Sequence, residues 1–337
     1  MSAWLITGGC GFIGRNLIQD LLAEGGHGVR IVDNLSEGSR EDLEQVSPFT
    51  ERSRSAMDSK TAPQQGAVEL VVGDIRDTEL ALAACGGCDV IVHLAANTGV
   101  APSVDNPRLD CEVNVLGTLN YLEAARHNQV QRFVFASSGA PVGECQPPIH
   151  EELAPHPVSP YGASKLAGEG YCSAYCRTFG VETVALRFGN VYGPLSGRKS
   201  SVVAKFIRRA LAGEPLEIYG DGGQTRDFIY IDDLVAAVRL AASTPDVGGE
   251  VFQIATARET TVSEVAERLT AVLQKQDIGP VSIEHAAPRL GDVQRNFSDT
   301  SKAESMLGWS ASTSLEKGLE ETVQWFVAKR EGSRSAL

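Results

Sequence analysis

No stretch of this sequence approaches the roughly 20 consecutive apolar residues that a membrane-spanning helix requires, so a bilayer-embedded function is not expected. The opening residues, MSAWLITGGCGFIG, lack the charged region, apolar run and cleavage site of a secretory signal. A cytoplasmic location is the expectation. Positive charge is scarce: 30 Lys and Arg stand against 43 Asp and Glu, for a net charge of −13. Non-specific contact with nucleic acid or an anionic membrane needs positive surface, and both classes of partner are set aside. A single anionic ligand is not excluded, because a few arginines in a pocket override the global charge. The chain also lacks a disulfide framework. Its seven cysteines (Cys10, Cys85, Cys88, Cys111, Cys145, Cys172 and Cys176) are odd in number and irregular in spacing. Cys85 and Cys88 form a lone CxxC without a second ligand pair. They read as two reduced thiols near a helix end, and no metal is expected.

The sequence is otherwise that of an ordinary globular protein, with 337 residues of which 42% are apolar and 22% charged. That length suits one large domain or two associated ones. The first 140 or so residues alternate short apolar runs with helical patterns. Strands are expected at 3–7, 29–33, 68–72, 90–94 and 132–136, and helices at 12–22 and 114–128. Such alternation implies βαβ units and a parallel sheet covered on both faces: an α/β fold, doubly wound in the Rossmann manner. Residues 36–66 are polar and suggest a surface excursion, helical in part. Later come a helix at 164–179, a strand at 183–187, a Gly/Pro/Ser-rich stretch at 190–224 and a helix at 262–275. The expected division is a dinucleotide-binding domain over 1–187 with a returning segment at about 225–255. A smaller α/β substrate lobe would take 188–224 and 256–330, and a tail 331–337, frayed from about Lys329.

Thr7 to Gly14 reads TGGCGFIG, placing Gly8, Gly9, Gly11 and Gly14 between an expected strand and an expected helix. Glycines let the backbone approach a pyrophosphate, and the helix N-terminus supplies free N–H groups and a positive dipole end. Asp33 ends the second strand about 20 residues on, where the dinucleotide unit needs an acid to accept the adenosine ribose hydroxyls. A carboxylate there repels a 2′-phosphate, so NAD is the expected cofactor. Asp74, at the end of the third strand, is placed to reach the adenine or to form a turn.

Tyr161 and Lys165 lie four residues apart, a spacing that on a helix projects both from one face. A phenol with a pKa of about 10 is a poor base at neutral pH, but a nearby ammonium and a nicotinamide cation both favour the phenolate. Tyr161 can then take a proton from a hydroxyl while hydride leaves for the cofactor. Ser137 and Ser138 follow the expected fifth strand, where an open parallel sheet presents ligand-binding groups.

These residues resemble the extended short-chain dehydrogenase/reductase family, and most closely its UDP-hexose and UDP-glucuronate 4-epimerases. The resemblance runs from about residue 3 to about 327. It rests on TGGCGFIG, VDNLSEG (32–38), GDIRD (73–77), HLAA (93–96), NVLGT (114–118), FVFASS (133–138), SPYGASK (159–165), LRFGNVYGP (186–194), IYGDGGQTRDFIYIDD (218–233) and RLGD (289–292). The resemblance implies a Rossmann domain with a small substrate lobe, a homodimer built through a four-helix bundle, and a UDP-sugar substrate. Carried over by position, it implies NAD contacts at Gly8, Gly11, Phe12, Ile13, Gly14, Asp33, Asn34, Leu35, Ser36, Gly38, Asp74, Ile75, Leu94, Ala95, Ala96, Thr98, Asn114, Tyr161 and Lys165. Ser138 matches the family's catalytic Ser/Thr, Tyr161 the base, and Lys165 its partner on the nicotinamide ribose. Substrate contacts are implied at Ser138, Tyr161, Asn190, Arg198, Tyr219, Arg226, Arg289 and Asp292. Asn296 sits where relatives use residue size to admit or exclude an N-acetyl group. Arg198 and Lys199 lie in a loop where uronate-specific relatives carry an arginine for the carboxylate.

The departures narrow the reaction. Sugar 4,6-dehydratases carry an Asp-Glu pair directly after the catalytic Thr, and UDP-glucuronate decarboxylases a Glu two places after it. Gly139 and Ala140 stand there and transfer no proton. Val142 replaces the tyrosine that usually precedes the following glycine. The expectation is therefore 4-epimerisation of a UDP-sugar with NAD regenerated in each cycle. The rivals are a ketoreductase or dehydrogenase with net redox, a dehydratase, and a non-catalytic NAD-binding module.

Overall fold

The structure is a computed structural model that describes residues 2–57, 61–288 and 293–335. In chain order the elements begin with β1 (Ala3–Thr7), α1 (Phe12–Glu24), β2 (Gly28–Asp33), α2 (Arg40–Glu44), β3 (Thr50–Glu51), β4 (Val68–Val72), α3 (Thr78–Ala84) and β5 (Val90–His93). Then come α4 (Val100–Asp105), α5 (Pro107–Cys111), a π-helical turn (Glu112–Leu116), α6 (Gly117–His127), β6 (Arg132–Ser138), α7 (Pro160–Phe179), β7 (Thr183–Phe188) and β8 (Asn190–Tyr192). The remainder comprises α8 (Val202–Ala212), β9 (Leu216–Tyr219), β10 (Thr225–Arg226), β11 (Phe228–Tyr230), α9 (Ile231–Ser243), β12 (Glu250–Ile254), β13 (Thr260–Thr261), α10 (Val262–Lys275), β14 (Ile283–Ala286), α11 (Ser301–Leu307) and α12 (Leu315–Ser335).

Eight strands form one sheet in the order β12-β7-β6-β5-β1-β2-β4-β3, every neighbouring pair parallel. This is the α/β Rossmann-type fold that the alternating pattern implies. Successive residues of β1 point to opposite faces. Trp4 and Ile6 join one core with α1, α8, α9 and α10, while Leu5 joins the other with α3, α6 and α7. Both faces are covered, which is why the strand sequences are nearly unbroken apolar runs. Strand order reverses beside β1, between β2 on one side and β5 on the other. A ligand crevice belongs outside the carboxyl ends of the strands at such a switch point.

Helix α7 begins four residues earlier than its periodicity suggests. The Ser159 side chain caps it by accepting from the Gly162 amide at 3.1 Å, and Pro160 takes the first turn, where its missing N–H costs nothing. It ends at Gly180 with a left-handed φ of 72°. An alanine Cβ at Gly168 would lie 2.3 Å from the Phe135 ring. Glycine there lets α7 lie close against β6.

Four other expectations are corrected. β6 runs on to Ser138 because its ladder with β7 continues to the pair Ser138–Phe188, so Ser137 and Ser138 close the strand instead of following it. The helix expected from Asn114 opens as the π-helical turn Glu112–Leu116. The polar excursion contains β3, paired with β4. The residues from Lys329 onward are helical as far as Ser335, and the Arg330 Nη1 donates to the Leu211 carbonyl at 2.8 Å.

Candidate active site

A cleft of about 440 Å³ opens at the carboxyl ends of the strands, within the range typical of small-molecule sites. Its wall carries Ile13, Leu94, Ala96 and Thr98 from the β1 and β5 side, Ser138, Tyr161 and Lys165 from β6 and α7, and Asn190, Tyr219 and Arg226 from the later chain. Lys199, Ser200 and Ser201 complete one edge.

The reactive groups converge through α7. The Tyr161 phenol is hydrogen-bonded to Ser138, and burial pushes it up to about 12, the Ser138 bond opposing and the Asp110 charge adding. Ser138 Oγ also accepts from the Ala140 amide at 3.2 Å. Lys165 Nζ donates to the Ala136 carbonyl at 2.8 Å and lies 5.8 Å from the Tyr161 ring centroid. Burial pulls the Lys165 ammonium down to about 8, with Asp110 and Glu169 resisting. The close approach of α7 at Gly168 is what brings this amine to the strand. Ser137 points elsewhere: its Oγ donates to Glu169 at 2.6 Å, and Glu169 takes a two-pronged contact from Arg187 at 2.8 Å on each oxygen. Of the two adjacent serines, Ser138 alone bonds to Tyr161.

The glycine-rich turn fits a dinucleotide. Gly8 has a left-handed φ of 69°, and a Cβ there would meet the Ala95 amide at 2.9 Å; one at Gly14 would meet Gly9 Cα at 2.6 Å. The first turn of α1 holds no acidic side chain, leaving its positive end open to an anion. Gly11 and Phe12 stand at that end. Asp33 closes β2 with its carboxylate fixed by the Cys10 amide at 2.9 Å and the Leu35 amide at 2.8 Å. Burial raises its pKa against those two bonds. Asn34 accepts from the Ser36 amide and hydroxyl. Gly38 packs on the turn, where a Cβ would meet the Cys10 carbonyl at 2.3 Å.

Behind Leu94, Ala95 and Ala96 lies a buried polar chain. Thr118 Oγ1 donates to the Asn114 carbonyl at 2.7 Å and so accepts from His93 Nε2, 3.2 Å away. The other His93 nitrogen faces Thr7 Oγ1 at 3.0 Å, which takes the Ala95 amide at 3.2 Å. Burial drives His93 down to about 3, with Lys165 adding to the shift, so the imidazole is neutral. This chain fixes the height of the loop that carries Thr98.

Of the other expected site residues, Tyr219 and Arg226 line this cleft, and Asn114 and Arg198 do not. Asn114 is buried behind that loop, its side chain bonded to Asn97, Asp110 and Ser164. A π-helical turn often marks a functional site, and here it aims Asn114 inward at those three partners. Asp74 is paired with Arg76 at 2.7 Å, which holds its carboxyl below the usual range, and Ile75 is buried. Arg198 turns out of the cleft to pair with Asp42 at 3.0 Å. Asp42, already paired with the buried Arg15 of α1 at 3.5 Å, takes Arg198 as its second cation. Arg226 lines the cleft and donates to the Thr225 and Val293 carbonyls, and the Tyr219 hydroxyl donates to Glu217 at 2.8 Å. A Cβ at Gly139 would lie 3.9 Å from the Asn296 amide, so Asn296 faces the stretch beside Ser138. Val142 is buried. Arg289 and Asp292 lie outside the described residues. Sequence reasoning missed Asp110, Ser164 and Glu169. Arg187 was the available clue to Glu169, since an arginine inside an apolar strand demands a buried acid.

The family model described as "NAD dependent epimerase/dehydratase family" matches residues 4–255. A UDP-glucose 4-epimerase of Mycolicibacterium smegmatis is 37% identical over 96% of this chain and 98% of its own length. Among solved structures, the UDP-glucose 4-epimerase of Thermotoga maritima with UDP-glucose is 36% identical with a TM-score of 0.84, over 97% of this chain and 99% of that one. The Thermus thermophilus UDP-glucose 4-epimerase in complex with NAD is 34% identical with a TM-score of 0.82, covering 96% and 98%.

Proposed function

The chain belongs to the NAD-dependent epimerase/dehydratase family, and from that premise we propose that it inverts carbon 4 of a UDP-hexose or UDP-hexuronate. The observation that carries this reading is the Tyr161 side chain, half-buried in the cleft wall with its phenol bonded to Ser138, beside Gly139 and Ala140, which offer no second acid. When bound, NAD supplies a reversible hydride acceptor. The first turn of α1 would hold its diphosphate and Asp33 its adenosine ribose.

Tyr161 takes the 4-hydroxyl proton and returns it after the flat ketone has turned over. The Lys165 ammonium stabilises the phenolate, which burial alone disfavours. Ser138 orients the hydroxyl by a hydrogen bond shared with Tyr161. Arg226 and Tyr219 anchor the UDP end, together with Arg289 and Asp292, so the sugar rotates while the nucleotide stays. With residues 188–224 and 256–330 as the substrate lobe, the cleft lies between the two parts. A second copy docks on the face where Leu116 and Tyr171 are exposed, and light scattering measures that state.

The test is incubation with UDP-glucose and UDP-glucuronate without added NAD. The 4-epimer should appear with no net NADH. Accumulating NADH would favour a dehydrogenase, and no product from any UDP-sugar would overturn the reading. Tyr161→Phe should lower turnover by at least about 10³-fold while NAD remains bound.

A further inference from the structure

Lys199 sits in the turn after β8, its amide donating to the Ser196 carbonyl at 2.9 Å. Its side chain folds back along the cleft wall. Nζ donates to the Val191 carbonyl at 3.0 Å and lies 4.9 Å from the centroid of the Phe12 ring. Phe12 is the first residue of α1, so the amine stands across from the helix end that offers free N–H groups. The same cleft is lined by Ser138, Tyr161 and Asn190.

Three other cations nearby face carboxylates. Lys205 pairs with Glu217, Arg198 with Asp42, and Lys165 feels Asp110 and Glu169. No carboxylate among the described residues pairs with Lys199, and burial pulls it down to about 8 with no opposing charge. An ammonium has three N–H donors, and one carbonyl uses one of them. Lys199 is half-buried, and a cation partly withdrawn from water is costly unless an anion compensates it, while an aromatic face offsets only part of that cost.

We propose that Lys199 is an oxyanion-binding residue of the cleft, closing on a bound ligand from the wall opposite α1. Two oxyanions reach that place: the diphosphate held at the α1 N-terminus, and the carboxylate of a hexuronate sugar beside Tyr161. This deepens the epimerase reading and rests on it for the ligands' identity. A lysine here couples the loop after β8 to what the glycine-rich turn holds, and retains a charged ligand through the cycle.

Lys199→Met and Lys199→Arg test it by binding, independently of turnover. NAD retained after purification is measured by chromatography of the released nucleotide. Affinities for UDP-glucose and UDP-glucuronate are measured by calorimetry in the non-turning Tyr161→Phe background. Lys199→Met should weaken one of these ligands by about 10- to 100-fold, the worth of a hydrogen bond to a charged group, and Lys199→Arg should restore most of it. Loss of NAD with both sugars unaffected identifies the diphosphate; selective loss of UDP-glucuronate identifies the carboxylate. Retention of all three within about 2-fold overturns the assignment. Should Lys199→Met fail to fold, Lys199→Gln removes the same charge with a polar end. If no UDP-sugar is epimerised by the unmodified protein, the binding comparison still decides the role of Lys199.

Discussion

Two buried arginines of the same sheet each hold a buried glutamate, and the two pairs are built differently. Arg30 on β2 faces Glu69 on β4 in register at 3.0 Å. It spends its remaining donors on the carbonyls of Thr61, Ala84 and Gly86. Glu69 takes a second cation, Arg52, at 2.9 Å. Arg187 on β7 grips Glu169 on α7 with both prongs, yet its Nη1 has no hydrogen-bond partner among the described residues. The remaining bond of Glu169 goes to the Ser137 side chain, next to Ser138. The first pair is closed and ties backbone loops together; the second is open and ties side chains beside the reacting groups. Equal burial therefore hides different work. An unsatisfied buried donor costs about 1–3 kcal/mol, and Arg187 carries one beside the site where Ser137, Lys165 and Tyr161 must be aligned.

The strongest way to break this comparison is to delete one acid from each pair. Glu69→Ala strands Arg30 and should cost about 3–5 kcal/mol in denaturant unfolding, with kcat per folded molecule unchanged. Glu169→Ala should cost a similar amount and also lower kcat by about 10- to 100-fold, because small misplacements at a reacting centre are costly. Glu169→Gln should recover more of kcat than of stability. Equal kcat losses at Glu69 and Glu169 would erase the distinction.

A smaller effect comes from α7 itself. Gly168→Ala drives a methyl into Phe135 and should destabilise by about 1–3 kcal/mol, lifting Lys165 off the Ala136 carbonyl and lowering kcat. Gly170→Ala, which meets nothing within 4 Å, should instead stabilise by about 0.5–1 kcal/mol. Lys165→Met removes the cation that favours the phenolate. The acid limb of kcat should then move to higher pH by about one unit or more.

His93 gives a test that pH alone performs. Its folded pKa of about 3 lies below the ordinary 6.5, so the unfolded chain binds the extra proton. Stability is complete above pH 6.5 and falls as pH drops through the window toward 3. Between pH 6.5 and 5 the loss is about 2 kcal/mol, and denaturant midpoints of His93→Gln should show a shallower decline than those of the unmodified protein.

Much of the sheet was legible because strands buried on both faces must be apolar runs, and the glycine turn because only glycines fit its close contacts. Residues 262–275 were readable to the residue, since Thr261 and Glu264 form a reciprocal cap. The start of α7 was hidden by Pro160 and Gly162, which look like loop residues until Ser159 is seen capping them. Tyr161 and Lys165 were legible from spacing on one helix. Arg198 and Lys199 were not separable: neighbours in a loop, they diverge because Asp42, distant in sequence, draws one away. Asp110, Asn114 and Ser164 meet only through a π-helical turn that tertiary packing sets.

Strand β12 lies beside β7 but ends at Ile254. While the chain is being made at about 5–20 residues per second, β7 therefore emerges several seconds before its outer neighbour. During that interval it presents an unpaired row of backbone donors and acceptors, a template for other chains. A ribosome stalled in that interval, or a gene cut there, would yield an adhesive fragment in place of a smaller enzyme.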